Sequence, residues 1–258
     1  MKRKLNESVI ATKKITNGST VGQLVQSTFT SSSITCKVCA MTYTQLPKDR
    51  DLHKRHHHSF INGVSWPRSQ DAPVMKTTVR KIDSSTSYQV EIYTVDKSST
   101  VQIRRVEELL KMVNSELNAP QDSQEWKSNN PAVAVPARAF VAVVNGRAVA
   151  VCTTDSIHDT DLQCRWMVYK SQKIVPGQVN RAIRLGISRI WTASNYRRLG
   201  IADKLLQCVL EHSVFGVTLA KSELGFSQPS FAGGLLAKHF NGVIHKSGET
   251  LIPVYIED

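Results

Sequence analysis

Two groups of side chains in this chain have the types and spacing to do chemistry. The first is Cys36-x2-Cys39-x13-His53-x3-His57. Two thiolates separated by two residues can pinch a Zn²⁺, and two imidazoles four apart lie on one helical face and complete a tetrahedron. Four protein ligands leave no open coordination position. The site is therefore expected to be structural, lending folding free energy to a unit too small to fold on its own core. The second group is Arg197-Arg198-Leu199-Gly200-Ile201-Ala202, which matches R-x-x-G-x-A. Its small residues let backbone N–H groups approach a phosphate at a helix N-terminus, a geometry that suits a pyrophosphate.

Both groups depend on the elements around them. Ile187, Ile190 and Trp191 form a short β-compatible run, and Ala202, Leu205, Leu206, Val209 and Leu210 recur at helical spacing, so the turn joins a strand to a helix. It lacks the Lys and Ser/Thr of a P-loop and the triple glycine of a dinucleotide fingerprint. In the cysteine and histidine unit, Tyr43 stands where a C2H2 finger carries an aromatic, whereas Leu52 is adjacent to His53 and not three before it. His56 and His58 flank His57, and spacing favours His57 as the fourth ligand. A lone finger covers about three base pairs and normally works in arrays, which argues against a DNA-reading role.

Taken in order, residues 1–35 are rich in Ser, Thr, Lys and Asn and read as a disordered basic tail. Residues 36–58 are the finger and 59–88 read as a linker, with Trp66-Pro67, Pro73 and a Ser/Thr cluster. A finger on a linker should fold by itself, so Cys36→Ser is expected to loosen it while cofactor binding persists. From 89 to 258 the pattern predicts a strand at Val90–Val95 and a helix from Thr100 with Ile103, Val106, Leu110, Val113 and Leu117 as its apolar stripe. A β-hairpin turning at Asn145-Gly146 follows. Asp155–Asp161 reads as a polar connection, Arg165–Tyr169 as a strand and 170–185 as a crossover. After the phosphate turn and its helix come a strand within 217–226, a helix at Gly233–Phe240 and a last strand at Leu251–Ile256. The expected class is α/β (α+β mixed sheet), with ligand at the carboxyl end of a central strand.

Composition narrows the setting. The 258 residues are 41% hydrophobic and 21% charged, as in one globular domain with appendages. No run of about 18 apolar residues predicts a membrane span, and the first residues lack the apolar segment of a secretory signal, so an intracellular location is expected. Five cysteines form an odd, sparse set that fits metal ligation and free thiols better than a disulfide framework. The formal charge is +12, and residues 1–88 carry 14 Lys/Arg against 5 Asp/Glu. Such a basic N-terminal part suits nuclear import and salt-sensitive attraction to nucleic acid or an acidic partner, or is simply a solvated tail.

With strand, turn and helix in this order, the sequence resembles the GNAT-type N-acetyltransferases, whose acetyl-CoA loop is Q/R-x-x-G-x-G/A after the fourth strand. Glu116-Leu-Asn-Ala-Pro120, Arg165–Tyr169, Gly186-Ile-Ser-Arg-Ile-Trp191, Phe226-Ser-Gln-Pro229 and Ile252–Ile256, preceded by a C2H2-like finger, are similar to the ECO/ESCO sister-chromatid cohesion acetyltransferases, in a fungal-type member. The resemblance implies transfer of acetyl from acetyl-CoA to lysines on the ATPase head of the cohesin SMC subunit during DNA replication in the nucleus. It also implies a peptide for the replication sliding clamp near the N-terminus, where Gln26-Ser27-Thr28-Phe29 has Gln-x-x-hydrophobic without the following aromatic pair.

GNAT-type chemistry implies direct transfer from thioester to amine with no acyl-enzyme, leaving Cys208 to the core. Backbone groups of Ile190, Trp191 and Thr192 would align the pantetheine and acetyl group. Amides of Arg198, Leu199, Gly200, Ile201, Ala202 and Asp203 would hold the pyrophosphate. A lysine of pKa about 10.4 must lose a proton before it attacks, so a carboxylate should act as base, directly or through water. Vertebrate relatives carry Glu where Gln207 stands and Asp where Gln228 stands, and a glutamine cannot take that role. Glu211, one helical turn after Gln207, and Glu223, before the FSQP segment, are the candidate bases. Ser188 is a third candidate, orienting substrate or filling the strand. The two missing acids leave a second reading open: a catalytically weak zinc-finger module that binds chromatin or nucleic acid.

Overall fold

The computed structural model describes residues 33–67, 71–81, 85–117, 119, 125–127 and 134–257. The tail up to residue 32, including Gln26 to Phe29, lies outside the described residues. The chain begins with a small hairpin, β1 (Ile34–Thr35) and β2 (Thr42–Tyr43), followed by helix α1 (Pro47–Asn62). Pro47 opens α1, where a missing N–H costs nothing, and Gly63 at φ 74° ends it. Phe60 is the buried residue of α1, whereas Leu52 is exposed, which accounts for its displaced position in the finger pattern.

The chain leaves α1 directly into the main sheet. β3 (Val64–Ser65) pairs with β7 (Arg147–Ser156), and β4 (Met75–Arg80) pairs along its whole length with β5 (Ser87–Thr94). Residues 59–88 are therefore not a linker: they complete α1 and supply two strands. Their Thr and Ser content hid β4, in which only Val79 is fully buried, because an edge strand exposes alternate residues. A Cβ at Gly63 would overlap the carbonyl oxygen of Ala148, and its backbone is left-handed. Gly63→Ala is accordingly expected to lower unfolding free energy by about 2 kcal/mol, read from the urea midpoint.

Helix α2 (Thr100–Leu117) buries Val106, Leu109, Leu110, Met112 and Val113, close to the expected stripe. β6 (Ala139–Val144) and β7 form the hairpin, with Asn145 at φ 48° and Gly146 at φ 71°, as a type I′ turn requires. β7 continues to Ser156, so Asp155 is a strand residue and not part of a connection. After the single turn α3 (Thr160–Gln163) come β8 (Cys164–Val168), at the strand expected from Arg165 to Tyr169, and antiparallel to it β9 (Lys173–Val179), where a crossover was expected. β10 (Leu185–Thr192) leads through a 3₁₀ turn at Ser194–Tyr196 to α4 (Ile201–His212). A further 3₁₀ turn, Lys221–Glu223, precedes β11 (Leu224–Ser227), and α5 (Phe231–Asn241), β12 (Val243–Ile244) and β13 (Thr250–Tyr255) follow.

The sheet runs β4-β5-β6-β7-β10-β11-β13-β8-β9, with β3 added beside β7 and β12 beside β13. It is mixed: β10 is antiparallel to β7 and parallel to β11, and β11 is parallel to β13. The mixed α/β class expected from the sequence is the one observed. Among the described residues, no helix is long and apolar enough to cross a membrane.

Candidate active site and metal centre

The site is organised by the parting of β10 from β11. Their parallel pairing covers only Leu185↔Leu224, Gly186↔Gly225 and Ile187↔Phe226. On its other edge β10 stays paired with β7 to Thr192↔Ala150, with one extra residue, Ser188, between Ile187 and Arg189. From Ser188 to Thr192 the β11-facing edge of β10 has no strand partner among the described residues and borders a wedge, with the Ser188 and Thr192 carbonyls accepting from Arg189 and Arg197. An amide-bearing chain such as a pantetheine can pair there as a strand would. Ile190 and Thr192 turn their backbone groups to that edge, whereas Trp191, paired with Val151 as Ala193 is with Val149, directs its own to β7.

At the open end of the wedge the backbone turns sharply. Arg198 at φ 63° and Gly200 at φ 77° are both left-handed, and Gly200 caps α4 with no side-chain hydrogen bond. The first amides of α4, from Ile201 to Asp203, therefore have neither intrahelical nor side-chain acceptors. A side chain at Gly200 would meet nothing within 4 Å, so the space before the helix is open to a ligand. The structure thus places Arg198, Leu199, Gly200, Ile201, Ala202 and Asp203 around one anion-accepting turn, beside the strand edge of Ile190 to Thr192.

The turn is held from behind. Arg197 Nε donates to the Thr192 carbonyl at 2.9 Å, and its Nη2 donates to Glu116 Oε1 at 2.7 Å, at the end of α2. Trp191 Nε1 donates to the other Glu116 oxygen. The Arg197 guanidinium lies 5.6 Å over the ring of Phe60, and Trp191 meets that ring edge-on at 6.5 Å. Asn195 Nδ2 donates to Asn62 Oδ1 at 2.9 Å, and Arg147 binds the Asn62 carbonyl at 3.0 Å and that of Gly63. The C-terminal end of the finger helix is thus packed against the turn. Nothing in the sequence flagged Arg197, Glu116 and Phe60 as a group, because they lie on three elements far apart in the chain.

The candidate bases are not brought to the wedge. Glu223 ends a 3₁₀ turn at the closed end of β10 and β11, where its carboxylate accepts from Arg184 Nη1 at 3.0 Å and from the Ala220 amide at 2.6 Å. Glu211 accepts from Gln207 Nε2 at 3.0 Å. These two residues, with Asp203, Leu210, Lys221, His239 and Phe240, line a groove of about 520 Å³ between α4 and α5. At about 1.5 Å per residue, Glu211 stands roughly 16 Å along α4 from Gly200. Gln228 is exposed just past β11. Ser188 is at the wedge: it is the bulged residue, buried, with Oγ 2.9 Å from Thr153 Oγ1. Cys208 is fully buried and burial pushes its thiol up to about 12, which leaves it in the core and unsuited to nucleophilic work.

In the finger, Cys36, Cys39, His53 and His57 offer ligand atoms that all lie within 4.8 Å of one another. His57 Nδ1 is 3.4 Å from Cys36 Sγ, and the buried Nε2 of His53 has no hydrogen-bond partner, an orphan that a metal would satisfy. Tyr43 stacks on His53 at 4.0 Å and fixes its ring. The set fits a structural Zn²⁺. His56 packs instead toward Phe60, and His58 is 3.3 Å from Asn62 Nδ2, so the structure selects His57 among the three. Hydrogen bonds from the Cys39 and Val38 amides lower the Cys36 thiol to about 6, whereas burial raises that of Cys39.

The N-acetyltransferase ECO1 of Debaryomyces hansenii is 48% identical over 243 residues, covering 88% of this chain and 84% of that protein. The chain belongs to the ECO1 N-acetyltransferase family. The ECO1 proteins of Eremothecium gossypii and Saccharomyces cerevisiae are 35% and 30% identical, over 86% and 94% of this chain and 88% and 92% of theirs. Residues 181–246 match the family described as ESCO1/2 acetyl-transferase, and residues 23–59 match the zinc-finger of acetyl-transferase ESCO. The solved xEco2 acetyltransferase domain superposes with a TM-score of 0.48 at 18% identity, over 71% of this chain and 96% of that one, too loosely to carry further argument. In this ECO1-family acetyltransferase, the ESCO1/2 match at residues 181–246 includes both the wedge and the turn before α4.

Proposed function

We propose that this ECO1-family protein moves the acetyl group of acetyl-CoA to a lysine on the ATPase head of the cohesin SMC subunit. On this reading it acts in the nucleus during DNA replication, to establish sister-chromatid cohesion. The observation that supports it best is the wedge at Ser188–Thr192 opening straight onto the uncapped start of α4. Pantetheine amides would pair with the β10 edge, and the pyrophosphate would sit on the amides of Arg198 to Asp203. Transfer is direct, of the GNAT type, since Cys208 is sealed in the core. Zinc, when bound by Cys36, Cys39, His53 and His57, supplies structure and no open coordination position. The basic N-terminal part would favour chromatin, and Gln26 to Phe29 would reach the sliding clamp.

The test is radiolabelled acetyl transfer to the purified cohesin ATPase head, with Gly200→Asp as control. Incorporation on lysine well above the control is expected. Equal labelling would leave the second reading, a zinc-finger chromatin-binding module with weak catalysis, to which the displaced Glu211 and Glu223 would then point.

A further inference from the structure

A polar strip is buried on the sheet next to the wedge. β7 is apolar from Ala148 to Cys152 and then changes to Thr153, Thr154, Asp155 and Ser156, exposed by only 0%, 0%, 5% and 4%. Burying four polar side chains in succession costs free energy unless each is partnered. Thr154 binds the backbone of Arg138, and Ser156 Oγ accepts from the Ala137 amide. Thr153 bonds to Ser188, the bulged residue at which the wedge begins. Asp155 Oδ2 accepts the hydroxyl of Tyr255 at 2.9 Å.

The ladder registers place this pair. Asp155 stands opposite Gly186, one rung below the last β10–β11 pair, Ile187↔Phe226. Tyr255 stands opposite Ser227, one rung above that pair. Its side chain therefore crosses the sheet face beneath the point where the strands part. Gly186 makes the crossing possible, because a Cβ there would sit 2.5 Å from two carbons of the Tyr255 ring. Cys152 is close to Cys208 of α4, so by strand alternation Thr153 and Asp155 face away from α4. The carboxylate thus lies on the sheet face opposite the helix that carries the phosphate turn, and with Tyr255 only 2% exposed in a cluster with Cys164 and Ile183, a substrate amine can reach the pair only through the wedge.

We propose that Asp155 is the proton sink for the acceptor amine, with the Tyr255 hydroxyl as the relay. This rests on the acetyltransferase reading of the wedge. The ammonium gives a proton to the Tyr255 oxygen while the phenolic proton passes to Asp155, which becomes a neutral acid. The free amine then forms a C–N bond to the thioester carbonyl carbon. The C–S bond breaks, and the CoA thiolate leaves with the proton lost by the new amide nitrogen. Asp155 acts through Tyr255 and so is a positioning residue that also stores the proton. Other ionisable groups on or beside this face are Arg189 of β10 with its partner Glu257, Glu116 at the end of α2, and Glu125 with His158 near the end of β7.

The test compares Asp155→Asn, Asp155→Glu and Tyr255→Phe with wild type on one acceptor substrate, reading acetyl-CoA affinity, kcat, the pH profile and the melting temperature. General-base assistance of this kind is worth about 10²–10⁴-fold. Asp155→Asn is expected to lose at least about a hundredfold in kcat with acetyl-CoA affinity unchanged. Its rate should keep climbing with pH where wild type has levelled, because only hydroxide-driven loss of the amine proton remains. Asp155→Glu should recover part of the rate, and Tyr255→Phe should fall about tenfold with the same change in profile. Asp155→Asn with wild-type kcat and profile would overturn the proposal. So would acetyl-CoA affinity and melting temperature falling together with an unaltered profile. If Asp155→Asn does not fold, Tyr255→Phe decides alone, and a wild-type profile there sinks the relay. A wild type inactive on every acceptor would instead remove the acetyltransferase reading beneath the proposal.

Discussion

Stripping the metal from the finger, or replacing Cys36 by Ser, is expected to weaken acetyl-CoA binding about tenfold as well as to unfold the finger. The sequence led to the opposite expectation, because 59–88 reads as a linker. In the structure α1 runs without a spacer into β3 of the main sheet, and its last turn supports the phosphate turn through Phe60, Asn62 and Gly63. Release of α1 takes away the ring under Arg197 and the partner of Asn195, so the left-handed pair Arg198 and Gly200 loses its backing. Coupling between two sites is reciprocal, and couplings of about 5–150-fold are ordinary. Saturating acetyl-CoA should then raise the apparent zinc affinity by the same factor. Calorimetry of acetyl-CoA on chelator-treated and zinc-loaded protein measures one side, and a chromogenic chelator competition measures the other. Acetyl-CoA affinity unchanged by zinc removal would show that the turn is rigid without the finger.

Gly200→Asp should have the larger effect on the cofactor, about a hundredfold or more in acetyl-CoA dissociation constant, with little loss of stability. Its φ of 77° costs a side-chain residue about 1 kcal/mol, and Asp tolerates that region better than most. No atom lies within 4 Å of the added Cβ, so the fold itself does not resist the change. The carboxylate would instead stand before the first amides of α4, where the pyrophosphate charge belongs, and repel it. Calorimetric binding beside a thermal melt separates the two effects. Gly200→Ala carries the strain without the charge and should lose far less than the Asp variant. Equal losses would assign the defect to backbone strain.

Much of the site was legible from the sequence because its parts are local. A Cys-x2-Cys with two histidines four apart, and a strand, glycine turn and helix in succession, are short-range patterns whose geometry follows from bond lengths and helix pitch. The hairpin at Asn145-Gly146 is local in the same sense, since only two residues must adopt positive φ. The linker reading failed for a physical reason: β4 is an edge strand with half its residues exposed, and its apolar signal is too thin to stand out. The same holds for β9, whose Pro176 and Gly177 imitate a loop.

By itself the sequence determined the Cys36, Cys39, His53 and His57 cluster, the succession of strand, glycine turn and helix, the mixed α/β class and the family, all of which rest on residues close together in the chain. The tertiary structure alone decided where the carboxylates stand. Glu211 and Glu223 are close to the motif in the chain yet lie along α4 and at the closed end of the strands, whereas Asp155 comes from another strand and meets Tyr255 across 100 residues. A strand register brings distant residues to one rung, and no periodicity within a single segment encodes it. For the same reason only the folded chain shows that the finger helix backs the turn before α4.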